Sequence, residues 1–152
     1  MSQINATIVW QRLDDAPFTD HRYSRTHSWQ FDSGLHLNAS ASPTQIPSSA
    51  SDPHVIDPEK AFVAALSSDH MLTVLALIAK EGYIVEAYQD QAAGVMAHVQ
   101  GRLQISRVTL NPRIRYAGQV PSHEQEEQWH QQAHQQSVIA HSVTTEIAVC
   151  LS

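Results

Sequence analysis

This 152-residue chain has a single cysteine, Cys150. One cysteine excludes an intramolecular disulfide and suits a reducing compartment. Positive charge is also scarce: 9 Lys and Arg stand against 15 Asp and Glu, for a formal net charge of −6. No basic block is present, so nucleic acid is not an expected partner. The chain holds 5 glycines, none in G-x-G-x-x-G spacing, which removes a glycine-rich phosphate cradle. No G-x-S-x-G elbow exists to support a serine hydrolase. The longest apolar run, residues 71–79, is far too short to span a bilayer, so no membrane partner is expected. The N-terminal MSQINATIVWQR has neither the basic start nor the apolar core of a secretory signal. A soluble cytoplasmic protein is therefore expected.

What is present reads as one globular α+β domain over residues 1–152. Hydrophobic residues make up 42% and charged residues 16%, in a chain long enough to bury a core. Strands are expected at 4–10 and 23–31, with a turn-prone segment at 14–20 between them. Ser33-Gly34 reads as a turn before a short pairing segment at 35–39. Residues 40–56 are Ser/Pro-rich and read as a long loop, which in a compact domain is usually functional or packs on a partner. Further strands are expected at 83–91, 94–100 and 103–116, the last broken near Asn111-Pro112. Ser122 caps a second helix running to about Ser137. Gln125 is placed for a capping box, and Glu124, Glu126 and Glu127 lie in the first turn. A closing strand is expected at 144–151. It contains Cys150 in an apolar alternating run, where a buried, inert thiol is expected.

The strongest local signal is the helix expected over 57–82. Asp57 is a good N-cap, Pro58 fits the first helical position, Glu59 complements the dipole, and Gly82 supplies the stop. Its apolar residues, Phe62 to Ile78, exceed a single stripe, so burial on more than one side is expected. Asp69 sits in the apolar middle. A carboxylate there is hydrogen-bonded, ion-paired, or facing a pocket.

This helix resembles the central helix of the OsmC/Ohr family, the osmotically induced and organic-hydroperoxide-resistance proteins. In that family a Pro-Glu pair opens the helix, and a peroxidatic cysteine follows ten residues after the Glu. Pro58-Glu59 and Ser67-Ser68-Asp69-His70-Met71 occupy the matching places, so the cysteine position holds Asp69. The second family motif, C-P-x-S, falls on Ser137-Val138-Ile139-Ala140, so the second cysteine position holds Ser137. The resemblance covers roughly residues 22–150. It implies an intertwined homodimer in which two central helices pack within a shell of curved antiparallel sheets, with sites at the subunit interface. It also implies a pocket shared with the Glu that opens the helix, here Glu59, and an Arg from the N-terminal strand region. Arg25 is the candidate and Arg22 its competitor. Arg25 is free on this reading to pair with Asp69, either as part of a site or as a structural ion pair.

The activity of the family does not follow. A thiol peroxidase needs a thiolate to attack the O–O bond, and a second thiol to resolve the sulfenic acid. Carboxylate and hydroxyl groups cannot do either. Three readings follow: a redox-inactive relative that binds a small, partly apolar or hydroperoxide-like ligand; an enzyme using Asp69 as general acid/base or nucleophile with Arg25, Glu59 or His70; or a residual hydroperoxide reductase acting through Cys150. No cofactor or metal is expected.

Histidine is abundant, with 10 in the chain. His70 lies about one hundred degrees round the helix from Asp69, and packing or a hydrogen bond is expected of it. His130 and His134 have an i, i+4 spacing that can hold a metal, but their glutamine-rich surroundings read as a solvated face. His141 follows the Ser137 motif and is placed to approach the pocket.

Overall fold

The structure, a computed structural model, describes residues 1–46 and 49–151. Pro47 and Ser48, within the loop expected at 40–56, lie outside the described residues, as does Ser152. The chain divides into two compact units, Met1–Ala61 and Phe62–Ser152.

In the first unit, β1 (Thr7–Val9), β2 (His27–Gln30) and β3 (His36–Ala39) form an antiparallel sheet in that order. All three strands are shorter than their sequence patterns. Gly34 takes the left-handed conformation, with φ 85°, that closes the β2–β3 turn, and its N–H donates to Phe31 O. The Ser/Pro-rich loop is tied down by its own backbone. Ser40 N donates to Ile56 O at 2.9 Å, Asp52 N to Ser40 Oγ at 3.1 Å, and Arg25 N to Ala50 O at 2.9 Å.

Helix α1 (Pro58–Lys80) starts as its sequence dictates. Asp57 Oδ1 accepts from Lys60 N at 2.8 Å, and its Oδ2 lies 2.9 Å from Lys60 Nζ. Burial pushes the Asp57 carboxyl up, but these bonds to Lys60 outweigh it and hold the group below its usual range. At the other end Gly82 is left-handed, Tyr83 N donates to Ile78 O and Gly82 N to Ala79 O, a Schellman closure. The helix is long and apolar enough to cross a membrane by length and composition, an 18-residue window of it having a mean hydropathy of 1.7. The core helix of a soluble protein meets the same length and composition, and the apolar residues here extend along the helix beyond the run at 71–79.

The second unit is built on this helix. The expected strand over 103–116 is two strands in different sheets, because Pro112 has no N–H to continue a ladder. These are β6 (Arg102–Leu110) and β7 (Pro112–Ala117). β4 (Ile84–Asp90) pairs antiparallel with β7, and β5 (Ala93–Val99) pairs antiparallel with β6. β8 (Glu146–Val149) joins β6 in parallel, a departure from the all-antiparallel expectation. The intervening α2 (His123–Gln136) and α3 (Val138–His141) supply the crossover that a parallel pair requires. Ser122 caps α2 by accepting from Gln125 N at 3.2 Å.

Along α1 the fully buried residues within one chain are Leu66, His70, Val74 and Ile78, an i, i+4 stripe flanked by the half-buried Phe62, Val63 and Leu77. Its two halves seed two clusters. Val74 and Ile78 pack with Trp129 and Ala133 of α2. Leu66 packs with Val108 and Leu110 of β6, and Ile139 and Ile147 close over it. Gly94 lets β5 approach the helix: a Cβ there would lie 2.8 Å from Val63 Cγ2. Other apolar side chains remain in the open, among them Leu72 at 61%, Ile84 at 63%, Val95 at 54% and Leu103 at 51% exposure.

Candidate functional site

Asp69 and Ser137 meet. They are 68 positions apart in sequence, and the Ser137 hydroxyl donates to Asp69 Oδ2. The same carboxylate oxygen accepts from Ile139 N at 3.3 Å. Ser137 holds its place because it ends one helix and begins another. Its N–H donates to Ala133 O at 2.9 Å, and its Oγ accepts from Ala140 N at 3.1 Å. Ser137 is 2% exposed, while Asp69 is half-buried. The carboxylate in the apolar helix is thus satisfied by one hydroxyl and one backbone N–H. The pair can orient a polar group. It has no sulfur to oxidise.

Beside it, His70 Nε2 lies 2.9 Å from His130 Nδ1, with the rings stacked at 5.1 Å. His70 therefore makes the expected hydrogen bond. His130 does not lie on a solvated face: it is 2% exposed, which corrects the reading of its glutamine-rich neighbourhood. The signal that locates it is Trp129 and Ala133, whose i, i+4 spacing marks the face of α2 that turns inward. Burial, then the charge on His70, pushes the His130 ring down to about 4. Burial, then the charge on His134, lowers His70, against the opposing pull of Asp90 and Asp69. Both rings are neutral at pH 7.

A second carboxylate anchors α1. Asp90 Oδ2 accepts from Ser67 Oγ at 2.5 Å and its Oδ1 from Asn111 N at 2.6 Å. Nothing in the strand pattern distinguishes Asp90 as this anchor.

In the first unit, Glu59 Oε1 accepts from Gln45 Nε2 at 2.6 Å, and its Oε2 is buried without a hydrogen-bond partner among the described residues. The Arg25 guanidinium turns back on its own segment. It donates to His21 O at 2.8 Å and to Tyr23 O, and stacks 3.6 Å from the Tyr23 ring centroid. No ion pair joins Arg25 to Glu59 among the described residues. Arg22 is exposed. His141 Nε2 pairs with Gln135 O at 2.7 Å. Cys150 is exposed, not buried. It lies one position beyond β8, and its N–H donates to Leu110 O, so the alternation of the strand no longer decides which way its side chain points.

No protein-family model and no curated protein matches this chain. Solved structures do. An organic hydroperoxide resistance protein from Elizabethkingia anophelis, with crystallant-derived thiocyanate bound, has a TM-score of 0.71 at 16% identity, covering 99% of this chain and 94% of that one. A putative organic hydroperoxide resistance protein from Vibrio cholerae, with captopril bound in one of the active sites, has a TM-score of 0.68 at 19% identity, covering 100% and 91%. At such identities these two share the fold. An OsmC-like protein of unknown function from Vibrio cholerae has a TM-score of 0.97 at 42% identity, with 100% of both chains covered. On that full-length likeness, the chain belongs to the OsmC-like proteins.

Proposed function

We propose that this chain is a redox-inactive OsmC-like protein whose residues 1–152 act as one domain within a homodimer that binds a small, partly apolar molecule. The observation that carries this reading is the hydrogen bond between Ser137 and Asp69. The resemblance places the two thiols of a hydroperoxide reductase at these positions. Two groups in direct contact are what the alignment of the motifs requires. A carboxylate and a hydroxyl can form neither a sulfenic acid nor a disulfide.

Ligand binding is supported by the captopril found in one of the active sites of the Vibrio cholerae organic hydroperoxide resistance protein of the same fold. The homodimer is supported by the exposed Leu72, Ile84, Val95 and Leu103, which one chain leaves uncovered. A cytoplasmic role in stress response fits a chain with one thiol. A thermal-shift screen of small apolar acids and thiols tests it: ligands that stabilise the wild type and not Asp69→Ala support the reading, and no stabilisation by any compound contradicts it.

One observation favours a second reading. Cys150 is exposed, so a hydroperoxide can reach its thiol. Attack would leave a Cys150 sulfenate and release an alcohol; one external thiol would condense with the sulfenic acid to a mixed disulfide and water, and a second would exchange with it to restore the Cys150 thiol. Loss of any hydroperoxide consumption in Cys150→Ala would select this reading.

A further inference from the structure

A cleft of about 500 Å³ lies in the second unit, between α2 and β8. His123, Glu127, His130 and His134 line it from one face of α2, opposite Ile147 and Val149. His130 is the unusual member. It is 2% exposed, its Nδ1 is engaged by His70, and its Nε2 is buried with no hydrogen-bond partner among the described residues. A buried polar atom without a partner calls for an explanation.

We propose that this cleft binds a borderline divalent metal ion such as Zn²⁺, ligated by His130 Nε2 and His134, with Glu127 as a third, anionic donor. Neutral imidazole and carboxylate are the donor types that such ions select. The positions are i−3, i and i+4, so all three donors fall on one helical face. The His70 contact is what a metal-ligating histidine uses to fix its ring. With His130 Nδ1–H donating to His70 Nε2, the Nε2 lone pair is the atom left for a metal. The other tautomer leaves a buried N–H with no acceptor, the rarer situation in folded proteins. Among the described residues no three donors are already gathered round one point. His130 is fixed by its His70 contact, whereas His134 and Glu127 are exposed, so the proposed site requires their side chains to rotate toward His130. This inference is independent of the reading of Asp69 and Ser137.

Calorimetric titration of the full, tag-free chain with zinc chloride near neutral pH tests it. The expected result is one tight site per chain, lost in His134→Ala, weakened severalfold in Glu127→Gln, and unchanged in His98→Ala on β5. His70→Gln acts through the His130 ring and is expected to weaken binding by roughly 10- to 100-fold. The exposed positions of His134 and Glu127 keep the test meaningful even if a change at His130 prevents folding. No binding, binding that survives His134→Ala, or equal loss in His98→Ala would overturn the proposal.

Discussion

His70 on the central helix and His130 on α2 share a hydrogen bond of 2.9 Å, Nε2 to Nδ1, inside the protein. Their folded state is neutral: His130 is pushed down to about 4 from an ordinary value of 6.5, and His70 is lowered as well. The unfolded chain therefore binds more protons than the folded one between pH 4 and 6.5. Stability is full above about pH 6.5 and falls as pH drops through that window. Urea denaturation across pH 4 to 8 is expected to show this slope, and His130→Gln is expected to flatten it. A wild-type stability flat from pH 6.5 to 4 would contradict the account.

The Asp69–Ser137 bond ties the central helix to the corner between α2 and α3. Ser137→Ala removes the donor and leaves Asp69 with Ile139 N alone. A loss of about 1–3 kcal/mol is expected. A double-mutant cycle with Asp69→Asn measures the coupling, and zero coupling would mean that the two side chains act separately.

Gly94 is fixed by packing. A Cβ at that position would stand 2.8 Å from Val63 Cγ2. Gly94→Ala is expected to destabilise by roughly 1–3 kcal/mol. Val63→Ala opens the space, so the double variant is expected to recover part of the loss. Chemical denaturation of the three variants checks this.

Leu72, at 61% exposure, lies on the open side of a helix that fully buries one stripe within one chain. A second copy covering this face is expected to make the protein a dimer at micromolar concentration. Leu72→Glu would place a charge in that interface and shift sedimentation toward monomer with a lower Tm. A well-folded wild-type monomer at that concentration would remove the dimer from the account.

The sequence carried the helices most clearly, because their signals are local. Asp57, Pro58 and Gly82 bound α1 to within two residues of the expectation, and Ser122 caps α2 as read. The strands in the first unit shrank, since their pairing depends on partners that local propensity does not describe. Asp69 and Ser137 were legible through motif spacing. His130 was not: its burial depends on Trp129 carrying that face of α2 against the central helix, while its neighbours in sequence are glutamines. Cys150 departs from the expected burial because β8 ends at Val149, two residues before the end that its sequence pattern predicts.

The central claim is the absence of thiol peroxidase chemistry at Asp69 and Ser137. Its most direct test is consumption of an organic hydroperoxide by the purified chain with excess dithiol, run beside the variant Asp69→Cys/Ser137→Cys. The account predicts a wild-type rate no greater than that of the dithiol alone, with consumption gained only in the double variant. A wild-type rate clearly above the dithiol, saturable in hydroperoxide and retained in Cys150→Ala, would contradict it.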